Sequence, residues 1–233
     1  MSYPFREAFQ FYTQKIEYIF LFAFTIILPV LLFHAFIMNY VYAATPLING
    51  TTSVADLFYG LFTIILLTVA QVPIIRFVYN EQEGIEHPVR NAFFHFALIG
   101  FSVFLFAVLY GILAVLGTML FLIPGIVVML FLFLTPYISA IDSKPARRSW
   151  KEALRLGKRH FFALLLMVLG ISLAEMLIGI ISEHVVFSIT SSYGAQLFSQ
   201  MMLNMLIFPF MIVVVTLYVM KWRDDSLRAE REK

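Results

Sequence analysis

Six long apolar runs, each about as long as the roughly 20 residues a helix needs to cross hydrocarbon, alternate with short polar stretches. They predict spanning helices at residues 18–41, 54–77, 93–119, 122–141, 161–185 and 197–220. No soluble-looking block interrupts the series, so residues 1–233 read as one polytopic membrane domain of the all-α class. The third and fourth runs meet at Phe121 to Gly125, where Pro124 and Gly125 predict a tight helix corner. The first run is far longer than the ~7–15 apolar residues of a signal-peptide core, and is expected to be a retained transmembrane helix.

Composition agrees with that pattern. Hydrophobic residues make up 61% of the chain and charged residues 13%, about half the share in soluble domains. The absence of cysteine excludes disulfides, thiolate metal sites, a cysteine nucleophile and cysteine lipidation. A net charge of +2 is too small to indicate nucleic acid.

The placement of charge is more informative than its amount. Arg6 and Lys15 precede the first helix, and Arg76 and Arg90 border the second loop. Seven basic residues, Lys144 to Arg159, fill the fourth loop, and Lys221, Arg223, Arg228, Arg231 and Lys233 follow the last helix. These groups contain all 16 Lys and Arg residues, so with six helices every basic residue falls on one side. The excess of Lys and Arg on cytoplasmic loops then predicts both termini inside, in a bacterial cytoplasmic membrane.

A short echo, basic–polar–Ala–large apolar, precedes each odd helix: Arg6-Glu7-Ala8-Phe9, Arg90-Asn91-Ala92-Phe93 and Lys151-Glu152-Ala153-Leu154. It suggests three related helical hairpins, each introduced by an interfacial turn. The fourth loop carries this device most fully. On a helix, Trp150, Ala153, Leu154 and Phe161 fall near one face, with Arg147, Arg148, Lys151, Arg155, Lys158 and Arg159 around it. Such a segment suits an anionic leaflet, where each basic residue contributes about 1 kcal/mol; a loop serving topology alone is the alternative. The tail from Lys221 to Lys233 alternates in sign and reads as a solvated helical end.

Ionisable groups inside a bilayer are costly and default to functional candidates. Glu175 lies well inside the fifth helix without a Lys or Arg at helical spacing. At about 1.5 Å rise per residue, His34, Glu175 and Asn204 all fall about 4–8 Å from the midplane on the side away from the basic loops. They form a candidate polar cluster, able to relay protons or bind a cation, or else to act as hydrogen-bonding glue between helices. Glu183 and His184 read as interfacial, and Gln71, Arg76 and His95 as anchors of helices two and three, with Arg76 placed to snorkel to the interface. Four helices contain proline: Pro29, Pro73, Pro136 and Pro209. Broken helices near the midplane occur in transporters, but proline is also common in membrane helices. Ala107, Gly111, Ala114 and Gly117 make a small-residue stripe suited to close helix packing.

Soluble-enzyme motifs are absent, so no catalytic residue, cofactor or metal site is predicted. Glu81, Glu83, Glu86 and His87 lack a recognised ligand spacing and read as a solvated loop.

At Leu122-Ile123-Pro124-Gly125-Ile126, followed by Arg148-Ser149-Trp150 and Leu154-Arg155-Leu156-Gly157-Lys158, the chain resembles a broad group of bacterial six-helix membrane proteins. The group includes the uncharacterised YciC-like family and the membrane domain fused to some glycerophosphodiester phosphodiesterases. The resemblance implies a six-helix fold and membrane location. It implies no chemistry, because in the fused proteins the phosphodiesterase activity belongs to a separate soluble domain. The leading expectation is therefore a non-enzymatic accessory, scaffold or lipid-interface protein, whose partners are the bilayer's anionic headgroups and a membrane-protein partner or a second copy of itself. The alternative is a small secondary transporter or channel component using Glu175, His34 and Asn204.

Overall fold

The computed structural model describes residues 4–45, 47–48, 52–120 and 122–231. In hydrocarbon every backbone N–H and C=O must find a partner within its own segment, so apolar runs of this length fold as helices. Six are long and apolar enough to span: Ile16–Ala44, Val54–Gln82, Pro88–Leu120, Gly125–Asp142, Phe161–Ile189 and Tyr193–Ser226. A short helix, α1 (Pro4–Gln14), precedes the first span.

Three spans are interrupted near a proline, whose ring clashes with the carbonyl four residues earlier. The first consists of α2 (Ile16–Phe22), a wide π turn at Ala23–Ile27 and α3 (Leu28–Ala44), with Pro29 in the first turn of α3. The second divides at Gln71 into α4 (Val54–Ala70) and α5 (Val72–Gln82), beside Pro73. After α6 (Pro88–Leu120), the fourth span divides at Leu134 into α7 (Leu122–Phe133) and α8 (Thr135–Asp142), beside Pro136. An amphipathic helix, α9 (Ala146–Arg159), leads to the fifth span, α10 (Phe161–Ile189). The last, α11 (Tyr193–Arg231), continues through Pro209. Between the first two spans, β1 (Leu47–Ile48) pairs antiparallel with β2 (Thr52–Ser53).

The corner expected at Pro124-Gly125 lies slightly earlier: α7 already begins at Leu122, and Phe121 lies outside the described residues. Pro is tolerated in a helix's first turn because its missing N–H has no intrahelical partner there. Gly125 serves packing, its backbone running against Gly117 and Thr118 of α6 so closely that an added Cβ would come within 2.6 Å of the Thr118 nitrogen.

Consecutive spans alternate in direction, so segments bearing Lys and Arg gather at one end of the bundle, here called the basic end. Lys15 pairs with Glu81 there, and Arg223 with Asp142. At the opposite end the Tyr42 hydroxyl donates to Asp56 at 2.8 Å, and the Ser182 and Ser199 hydroxyls lie 2.7 Å apart. One apolar core draws on all six spans, but it is concentrated in the half nearer the basic end. There Val72, Ile74, Phe77, Leu134, Ile138 and Val213 are fully buried. Towards the opposite end the first, fifth and sixth spans pack more openly, and α10 buries only Leu164 and Ile171.

Two loops close on helix-terminal geometry. At the end of α5, Ile85 N–H bonds to the Asn80 carbonyl at 2.9 Å and Gly84 adopts φ +66°, a Schellman stop that needs the left-handed conformation glycine reaches at little cost. The Asn80 amide then donates to the Pro88 carbonyl at 2.9 Å, bracing the second loop. Glu81 is held by Lys15, and among the described residues no group of three or more His, Asp or Glu side chains could hold a metal ion.

The three echoed tetrads share one disposition. Ala8, Ala92 and Ala153 are fully buried, whereas Arg6, Arg90 and Lys151 are exposed. In each tetrad the alanine is the point of close contact and the basic residue the solvent- or headgroup-facing one.

Candidate functional site

His34, Glu175 and Asn204, which belong to the first, fifth and sixth spans, border one cavity of about 420 Å³. Thr63 from the second span, Ser172 and Gln200 complete its polar lining; Leu31, Val168 and other apolar side chains make up the rest. The His34 Nε2 lies 3.0 Å from the Thr63 hydroxyl, which itself donates to the Tyr59 carbonyl at 2.8 Å. The Tyr59 ring meets His34 edge-on, 4.9 Å between centroids. No ion pair or hydrogen bond reaches the Glu175 carboxyl among the described residues.

The cavity's apolar wall towards the basic end is built at the three helix interruptions and at the proline of α11. Ile27 ends the π turn, Leu67 lies one turn before Gln71, Phe133 precedes Leu134 and Phe208 precedes Pro209, and all four line it. Glu175 also borders a second, apolar hollow of about 650 Å³ between α10 and α11, reached by Phe5 of α1. It therefore stands where the two hollows meet along the α10–α11 seam. Small residues on α10, Gly170 and Ala174, face this second hollow. At Gly170 an added Cβ would meet nothing within 4 Å, so in this chain that glycine opens space instead of admitting another helix.

The second candidate region, α9, differs in detail from its sequence reading. The face it buries comprises Ala146, Ser149, Ala153, Leu156 and Gly157 and packs on α7 and α8. A Cβ on Gly157 would lie 3.2 Å from the Phe131 carbonyl oxygen. Of the residues expected near one face, Ala153 is fully buried, whereas Trp150 is 39% exposed on its flank. Small residues won because close approach to a neighbouring helix depends on volume as well as hydrophobicity. Arg147, Arg148, Lys151, Arg155, Lys158 and Arg159 are all exposed, and at 3.6 residues per turn they occupy one arc opposite the buried face.

Three basic-end residues make contacts beyond those expected from the sequence. Arg76 is 8% exposed and does not snorkel. Its guanidinium donates to the Ile141 and Ala140 carbonyls at 2.6 and 3.3 Å and to the Asn91 side chain at 3.3 Å. It thus caps the C-terminus of α8, where cations are favoured, and ties helices two and three together as an anchor. Arg223 makes a two-pronged pair with Asp142, at 2.7 and 3.1 Å, and reaches Glu152 at 2.9 Å. Trp222 is 7% exposed and stacks on His160 with 4.4 Å between ring centroids. Burial, and secondarily the charge of Arg159, depress the His160 pKa, favouring a neutral ring in that stack. The tail is therefore docked as far as Arg223; Asp224, Asp225 and Arg228 are exposed, as a solvated end requires. Lys233 lies outside the described residues.

No protein-family model matches the chain, and neither a curated protein nor a solved structure shows significant similarity to it.

Proposed function

We propose that this chain is a non-enzymatic, multi-pass protein of a bacterial cell membrane, with both termini cytoplasmic, that moves a proton or another small cation through the cavity bordered by His34, Glu175 and Asn204. One observation carries the reading: polar groups from four spans converge on a single hollow at the level where helices are interrupted. An intramembrane carboxyl without a basic partner is costly unless it serves a ligand or a proton, and interrupted helices around a midplane site are a recurrent transporter arrangement. The resemblance to bacterial six-helix membrane proteins supports the setting and leaves the cargo open.

Purified protein in liposomes should give a proton- or cation-coupled flux that Glu175→Gln abolishes while the variant elutes as the native protein does. Flux unchanged in that variant would remove Glu175 from the mechanism.

A second reading, an accessory or lipid-interface role, is favoured by the exposed basic arc of α9 beside Trp150. Here the partner is an anionic headgroup, with docking to another membrane protein or a second copy as the related alternative. Detergent-purified protein should retain anionic phospholipid through delipidation, and replacing Arg147, Arg148, Lys151 and Arg155 by glutamine should strip it. Equal retention by the two proteins would leave the arc a topology signal only.

A further inference from the structure

The cavity has a polar approach on one side and an apolar barrier on the other. Gln200 borders both the cavity and a smaller hollow of about 210 Å³ between α10 and α11, towards the end opposite the basic loops. Glu183, Gln196 and the hydrogen-bonded Ser182 and Ser199 line that second hollow. Along α11, Gln196, Gln200 and Asn204 recur at four-residue spacing and so stack on one helical face. Along α10, Glu175, Gly179 and Glu183 do the same, and Gly179 leaves the space between the two carboxyls open, an added Cβ there meeting nothing within 4 Å. The two antiparallel ladders bring carboxyls and amides into a lane from the end of the bundle to the level of Glu175.

Towards the basic end the polar lane gives way along this seam to the apolar hollow of about 650 Å³ described above, whose lining holds no carboxyl or amide besides Glu175. Below Phe208 come Ile212, Val213, Val214 and Val215, all fully buried. No Lys or Arg occurs between Phe161 and Met220, so the lane presents two carboxyls and no fixed positive charge. A confined site lined by one sign of charge concentrates ions of the other sign.

We infer that the cavity is loaded by a small cation from the face opposite the basic loops, along the α10–α11 seam, and that towards the basic face this conformation offers a cation only apolar surface. The inference rests on the reading above that the cavity is the working site, and adds the side of access and the role of Glu183 at its mouth.

The chain's lack of cysteine provides the test, because single cysteines report against a silent background. Gln200→Cys and Asn204→Cys variants, each checked for native elution, are treated with membrane-impermeant methanethiosulfonates carrying either a trimethylammonium or a sulfonate group. The reagents are applied to sealed vesicles of each orientation. Both cysteines should react only from the face opposite the basic loops, and the cationic reagent, each rate taken relative to that with a free thiol in solution, should be faster by about tenfold, the low end of what a focused field gives. Adding Glu183→Gln should narrow the difference between the two rates, and Val214→Cys should stay unreactive from both faces. Reaction from the basic face, equal rates for the two reagents in the Glu183 background, or an inert Gln200→Cys would each overturn the inference. Labelling requires no flux. One-sided, cation-selective labelling without flux would defeat the transport reading and leave the access route standing; Glu175-dependent flux with both cysteines closed to that face would defeat the route alone.

Discussion

Alanine at position 125 should leave little folded protein to purify. The new Cβ would lie 2.6 Å from the Thr118 nitrogen, 2.7 Å from the Gly117 carbonyl carbon and 2.9 Å from the Thr118 Cα. All three are backbone atoms of α6, so no side chain can rotate to relieve the overlap; the helices must separate. Overpacking of this kind costs up to about 3 kcal/mol, a large part of a stability that is typically about 5–15 kcal/mol. Gly170→Ala is the matched control. Nothing lies within 4 Å of its added Cβ, and removing a helix-interior glycine gains about 0.5–1 kcal/mol. Thermal challenge in detergent, read as the fraction still eluting as a single species, should therefore rank Gly170→Ala at or above the native protein and Gly125→Ala far below. Equal survival of Gly125→Ala would mean that the α6–α7 crossing is not held at this point.

The second large effect is expected at Arg76. Methionine there keeps much of the side chain's length and removes every donor, orphaning the Ile141 and Ala140 carbonyls at the buried end of α8 and the Asn91 side chain. Hydrogen bonds from a charged donor are worth about 1.5–3 kcal/mol, so Arg76→Met should lower stability by about 3 kcal/mol. Lysine offers a single ammonium where the site uses a planar fork, and Arg76→Lys should recover only part of the loss. Arg90→Met, at an exposed position on α6, should survive the same challenge as well as the native protein. If Arg76→Met matched it, the α8 carbonyls would have to find their partners elsewhere.

The spans were legible because the constraint behind them is local: a segment of sufficient length and hydropathy has no other way to satisfy its backbone in hydrocarbon. Their ends were less so. The third helix was expected at 93–119 and runs Pro88–Leu120, since intrahelical bonding continues past the apolar boundary until a turn stops it. Depth matching brought His34, Glu175 and Asn204 to one level because rise per residue is nearly constant; it was blind to rotation, and so to Thr63 and Ser172, whose residue types are ordinary in membrane helices. Gln200 had a usable signal, its four-residue spacing from Gln196 and Asn204. The Arg223–Asp142 pair joins residues 81 apart in sequence and left no local trace. Of the α9 face expected from Trp150, Ala153, Leu154 and Phe161, Ala153 is fully buried; the contact with α7 also uses the small volume of Gly157, which hydrophobicity does not single out.

The positions of the helix interruptions bear on which movements the bundle can make. The π turn, Gln71 and Leu134 lie in one layer, roughly 10–17 Å from the basic ends of their spans at 1.5 Å per residue. Each stands between a densely packed half and a looser one. Bending is easiest where the hydrogen-bond ladder is already disturbed, so this layer is where the first, second and fourth spans bend most readily beside the cavity. The segments beyond it can tilt as levers on a fixed base, and a change in the shape of the cavity need not disturb the contacts of Arg76 and Arg223.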